Sequence, residues 1–180
     1  MEPIVGWDLI NEAGELERLP VGAYACKIIE VTEVKEKQYL DVYFDIAEGK
    51  FKGYFKTLQD ATGKNYGHII RSYKKDALPF FKGFITAVEK SNPNYKWDWN
   101  EKGLNGKFCT VVFREEEYLK DGAIEISVKP DEVRSLQALR ENRIKIKPLK
   151  KLDTSTTTNE QPTITGNIAS IDISDDELPF

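Results

Sequence analysis

The sequence predicts a mainly β fold with one principal helix, a five-stranded barrel followed by a disordered acidic tail. Three observations predict it. Apolar residues after Gly22 recur with period two rather than 3.6, in short runs bounded by turn residues. One stretch alone, about Ala77 to Lys90, carries apolar residues at helical spacing. Residues 153–180 hold six acids and no Lys or Arg, after an abrupt change of composition.

In the first strand Tyr24, Cys26 and Ile28 alternate, and the phase then slips so that Val31 and Val34 follow, as a bulge would produce. A bulged strand suits a curled sheet. Gln38 to Ala47 alternates more cleanly: Leu40, Val42, Phe44 and Ile46 share one face, and Tyr39, Asp41, Tyr43 and Asp45 the other. The first face predicts core and the second a wetted surface. Gly49 punctuates a hairpin into a third strand, Lys52 to Leu58, and two later apolar runs, Lys107 to Phe113 and Ala123 to Val128, complete five strands. Between the third and fourth lies the helix, with Asp76 as N-cap, Pro79 in the first turn, and Phe80, Phe81, Phe84, Ile85 and Val88 as its apolar stripe. Three strands, a helix and two strands is the element order of the OB-fold, whose curved face commonly binds oligonucleotides. A shorter helical stretch, Ser135 to Asn142, precedes the basic end Arg143 to Leu152.

These elements divide the chain into an N-terminal extension (1–19), an OB-fold-like domain (20–152), a flexible Thr/Ser-rich linker (153–170) and an acidic tip (171–180). The start is acidic and broken by Gly6 and Gly14, with no leader pattern, and no apolar run reaches membrane-spanning length. The expectation is a cytoplasmic protein with no membrane partner. Cys26 and Cys109, far apart and each in an apolar run, read as buried free thiols.

Catalysis finds little support. His68 is the one histidine, with no second to build a metal site or acid–base pair with either cysteine. Gly63-Lys64 is no phosphate-binding loop, since Gln59 stands where the leading glycine belongs and no Ser or Thr follows the lysine. Glu115-Glu116-Glu117, beside a turn at Asp121-Gly122, reads as a solvated strand end. No enzymatic activity, metal or cofactor is expected.

The net charge of −4 conceals a division: residues 1–152 carry 26 basic side chains against 24 acids. From Lys50 to Thr110 there are 12 Lys or Arg, five acids and 12 of the chain's 20 aromatic residues. Basic and aromatic residues interleave from Gly63 to Lys75, which is what a single-strand groove needs: cations for phosphates and ring faces for bases. The candidate DNA-binding residues are Lys64, Tyr66, Arg71, Tyr73, Lys74 and Lys75, extended across the sheet by Tyr39, Tyr43, Lys52, Tyr54 and Lys56. Trp97 and Trp99 are stacking platforms or a lid packed on the helix, the latter preferred.

The most specific signal is the terminus. Asp175, Asp176 and Glu177 precede Leu178, Pro179 and Phe180, giving a partner an aromatic ring for a pocket and negative charge for a basic rim. This ending resembles the C-terminal tips of bacterial and phage single-stranded DNA-binding proteins. The resemblance implies that Phe180 and its carboxylate dock in pockets of host or phage replication, recombination or repair proteins.

The body carries a second resemblance, over about residues 20–152. Leu19-Pro20-Val21-Gly22-Ala23-Tyr24, Glu89-Lys90-Ser91-Asn92-Pro93, Gly106-Lys107, Glu116-Glu117-Tyr118 with Asp121-Gly122, and Pro148-Leu149-Lys150-Lys151-Leu152 are similar to a family of phage and mobile-element proteins of Gram-positive bacteria. That family implies an unorthodox single-stranded DNA-binding protein with an OB-type barrel, acting in the cytoplasm of a bacterial host. The expected function is coating and protecting single-stranded DNA during phage or mobile-element replication or recombination. The alternatives are a recombination mediator that anneals strands, and a decoy that competes for partners of the host single-strand binder. A homo-oligomer is compatible, because single barrels often need multimers to hold a long strand.

Overall fold

A computed structural model describes Glu2 and residues 17–152 of the chain. Most of the expected N-terminal extension, the linker 153–170 and the tip 171–180 lie outside the described residues.

Strand β1 (Gly22–Val34) pairs antiparallel with β2 (Tyr39–Ile46), and the register shifts between Ile28 and Glu30. Ile29 is the extra residue, so Cys26 and Ile28 face Ile46 and Phe44 before it, while Val31 faces Val42 after it. The bulge expected from the slipped alternation keeps both halves of β1 on one core face. In β2 the alternation is fully expressed: Leu40, Val42, Phe44 and Ile46 are buried, and Tyr39, Asp41, Tyr43 and Asp45 are half-buried on the opposite face.

The expected third strand, Lys52 to Leu58, is a correction. Gly49 (φ 81°) does turn the chain, but a second left-handed glycine, Gly53 (φ 75°), opens helix α1 (Tyr54–Thr62) there. Gly53 has no side chain to cap the helix. Asp45 on β2 supplies the acceptor instead, its carboxylate receiving the N–H of Phe55 at 3.0 Å and of Lys56 at 3.1 Å. Gly63 (φ 72°) closes the helix by donating its N–H to Gln59 O. The helix buries Phe55 edge-on against Phe44 and stacked with Phe113. The third strand of the sheet is β3 (His68–Ser72), which pairs antiparallel with β2.

Helix α2 (Leu78–Ser91) follows a 3-10 turn at Lys75–Ala77. Asp76 therefore lies inside that turn, and the residue at the N-cap is Ala77, which makes no side-chain cap. Pro79 sits in the first turn, where a missing N–H costs no helical bond. Phe81, Phe84, Ile85 and Val88 enter the core, but Phe80, at the margin of the stripe, stays exposed.

The last two strands, β4 (Phe108–Lys120) and β5 (Ala123–Arg134), form a longer hairpin than the two apolar runs suggested. Asp121 (φ 52°) and Gly122 (φ 81°) make its two-residue turn, both residues left-handed as such a hairpin requires. Glu115, Glu116 and Glu117 lie within β4, in an arm that continues past the point where β1 ends its pairing at Phe113. A short helix α3 (Leu136–Arg140), capped by Ser135 Oγ on Ala138 N–H, follows. The chain then returns to β4, where Lys150 N–H donates to Glu115 O and Glu117 N–H donates to Lys150 O, both at 2.9 Å.

The result is a mainly β fold with one five-stranded antiparallel sheet in the order β3-β2-β1-β4-β5. It is open rather than closed: β3 and β5 are its two edges, and Arg71 on β3 reaches across to Asp131 O on β5 at 3.4 Å. Residues from β1, β2, β4 and α2 fill the core between sheet and helix. Cys26 and Cys109 stand opposite each other on β1 and β4 as buried free thiols. Burial pushes the Cys109 thiol up to about 12 and that of Cys26 well above its usual value, so neither is a ready nucleophile.

Candidate nucleic-acid interface

The outer face of β2 and β3 is built by period two and by register. Tyr39, Asp41, Tyr43 and Asp45 project from β2, and the pairing of Tyr43 with His68 and of Asp41 with Ile70 brings His68 and Ile70 onto the same face. Tyr43 and His68 stack, with ring centroids 5.4 Å apart and planes 15° from parallel. His68 Nδ1 lies 2.9 Å from Asp41 Oδ1, which fixes the imidazole. Burial, and then the Asp41 carboxylate beside it, push the Tyr43 phenol up to about 12, so it is a neutral ring with a held hydroxyl. From Tyr39 to Asp45 the face runs roughly 20 Å at about 3.3 Å per residue.

Basic residues flank its two ends. At the Asp45 end, Lys52 is exposed in the turn before α1 and makes no ion pair among the described residues. Lys56, one turn into α1, is engaged with Asp60 at 2.8 Å. At the Tyr39 end, Tyr73 N–H donates to Gln38 O, which ties the end of β3 to the β1–β2 turn. The exposed Lys74 and Lys75 follow, neither of them in an ion pair among the described residues.

The other expected residues are placed differently. Tyr54 is half-buried among Phe51 and Phe55, and its hydroxyl accepts the Leu19 N–H at 3.3 Å. Tyr66 is half-buried against the core and Lys64 is exposed, both in the segment between α1 and β3. Arg71 shares the inner face with Leu40, and its guanidinium donates to Ile70 O at 3.1 Å and to Asp131 O. Burial lowers its pKa to about 10, which leaves it charged at neutral pH. Tyr73 donates its hydroxyl to Glu33 at 2.9 Å and packs edge-on against Phe81. The fold thus puts Tyr39 and Tyr43 on one face, with Lys74 and Lys75 following β3 beyond its Tyr39 end and Lys52 in the turn beyond its Asp45 end, and turns Arg71 inward. His68 and Ile70 were missed as surface groups because only the β2–β3 register reveals them.

The two tryptophans separate. Trp97 is half-buried with Phe81 at 6.4 Å, as a lid on α2 would be, whereas Trp99 is 84% exposed. Asp175, Asp176, Glu177, Leu178, Pro179 and Phe180 lie outside the described residues. Among the described residues no group of three or more His, Cys, Asp or Glu is placed to hold a metal ion, and no helix is long and apolar enough to cross a membrane. No family model matches the chain, and a search of curated proteins finds no match.

Proposed function

We propose that this chain is a non-enzymatic, OB-type single-stranded DNA-binding protein that recruits partners through its acidic C-terminal tip. The observation that carries the reading is the face of β2 and β3, where Tyr39, Tyr43 and His68 rings lie between lysines that make no ion pair among the described residues. In an OB-fold, a five-stranded partly open barrel, the face of strands 2 and 3 holds oligonucleotides. What supports the reading here is that β1 pairs with both β2 and β4, that α2 falls between β3 and β4, and that Arg71 on one edge strand of the open sheet reaches Asp131 O on the other.

The division of labour follows from the side chains. Tyr39, and Tyr43 backed by His68, offer stacking faces that tolerate any base, each stack worth about 1–3 kcal/mol. Lys52, Lys74 and Lys75 neutralise phosphates, and Lys56 joins them by exchanging Asp60. Arg71 and Tyr54 hold the frame beneath. Binding of labelled oligo-dT, measured by anisotropy against a salt series, is expected to weaken with a log–log slope of about −0.7 per phosphate neutralised. Replacing Lys74 and Lys75 together by Gln should flatten that slope by roughly 1.4. An affinity indifferent to salt would remove the reading.

A further inference from the structure

The geometry points to Trp99 as a second nucleobase-stacking platform, outside the β2–β3 face; this rests on the DNA-binding reading above. Trp99 has the highest exposure of any large apolar side chain among the described residues, at 84%. Its backbone is left-handed (φ 66°), a conformation that a bulky residue adopts only when its surroundings impose it.

The surroundings that impose it can be named. Glu89 Oε1 on α2 accepts the Trp97 N–H at 3.0 Å, fixing the start of the loop. Asp98 Oδ1 accepts the Asn100 N–H at 3.2 Å, and Asn100 Oδ1 accepts the Lys102 N–H at 3.1 Å, fixing its end. Trp99 is held between them with its ring outward, its centroid 6.2 Å from Trp97. The loop is not arranged for packing alone. Among the described residues the buried Tyr95 hydroxyl and Trp97 Nε1 have no hydrogen-bond partner, and the largest side chain is left in water. Tyr95 and Trp97 pack on the core, so the cost without a packing return is that of Trp99, and costs of that kind concentrate where a segment serves binding.

The indole is anchored from beneath: Tyr73 meets the buried Phe81 at 6.0 Å, Phe81 meets Trp97 at 6.4 Å, and Trp97 meets Trp99, so packed rings fix the base of the loop that presents Trp99. A cation follows in the same loop: Lys102, three residues on, is exposed and makes no ion pair among the described residues, while Glu89 pairs with Lys96 at 3.7 Å. A base on Trp99 would place its phosphate near that cation.

The test compares full-length wild type, Trp99→Ala and Trp99→Phe, using labelled oligo-dT and an abasic strand of equal length. Trp99→Ala is expected to weaken oligo-dT binding roughly five- to a hundredfold, Trp99→Phe to recover part of that, and all three proteins to bind the abasic strand alike. The solvent-exposed position should leave the melting temperature unchanged, so a loss of affinity reports on binding. If wild type binds oligo-dT and Trp99→Ala binds it equally well, or loses as much on the abasic strand, the Trp99 assignment is overturned while the DNA-binding reading stands. If wild type binds neither strand, that reading falls and Trp99 with it.

Discussion

Gly67 is the residue on which the entry of β3 turns. Its N–H is held by Asn65 Oδ1 at 3.1 Å and its carbonyl accepts the Phe44 N–H at 2.7 Å, so its backbone lies directly on β2. A Cβ there would stand 2.5 Å from Phe44 O and 2.7 Å from both Cβ and Cγ of Phe55. Neither neighbour can yield cheaply: one is a strand carbonyl, and the other is a buried ring stacked on Phe113. Gly67→Ala is therefore expected to lower stability by about 1–3 kcal/mol, the range of core overpacking, as read from the urea midpoint. A midpoint equal to that of wild type would mean that α1 does not close on β2 in this way. The same approach explains why Tyr66 and His68 part in direction, one half-buried against the core and the other stacked on Tyr43.

At the scale of elements, α1 shows why a local signal is not enough. Its start has a glycine where Ser, Thr or Asp would announce a helix, and the capping carboxylate comes from Asp45, in the preceding strand. Removing it by Asp45→Ala should cost about 1 kcal/mol and speed amide exchange in α1 ahead of β1 and β2; Asp45→Asn, which keeps an acceptor, should cost less. Uniform exchange in the two variants would argue against the cap. The same non-local cause hid α1 from the sequence, where Tyr54, Phe55 and Thr57 read as strand formers after a hairpin glycine. It hid β3 as well, because His-Ile-Ile-Arg-Ser shows no alternation until the register turns Arg71 inward and His68 outward. By contrast β1 with its bulge, β2 and α2 were legible, since each buries a stripe that its own period defines. Within the site, Tyr39 and Tyr43 could be read from alternation and Lys74 and Lys75 from composition. The exposure of Trp99 could not, because Trp97 and Trp99 share a two-residue spacing and differ only through the loop that holds them.

For the whole molecule, the division of charge sets the last expectation. The described chain ends by pairing on β4, with Leu152 N–H donating to Glu117 Oε2 at 3.0 Å, so residues 153–180 depart from a defined point on the arm. Those 28 residues carry six acids and no Lys or Arg. As a coil of that composition they would span very roughly 30 Å, comparable with the width of the domain. On the proposed DNA-binding reading, a coil of that length would hold the acids at an effective concentration on the order of millimolar, where even weak attraction would set them against DNA for the lysines of the β2–β3 strip. Deleting residues 171–180 removes four of the acids together with the Leu178-Pro179-Phe180 hook. The truncated protein should bind oligo-dT several-fold more tightly at low salt, and the difference should shrink toward none as screening shortens the reach of the acids. On the proposed recruiting role, the full chain should retain replication or repair proteins in a pull-down and the truncated protein should not. Equal affinities at low salt would separate the tip from the barrel, and equal capture would assign recruitment elsewhere. A gain in affinity joined to a loss of partners would mean that DNA and partners contend for the same tail, so that loading the strand releases the tip to recruit.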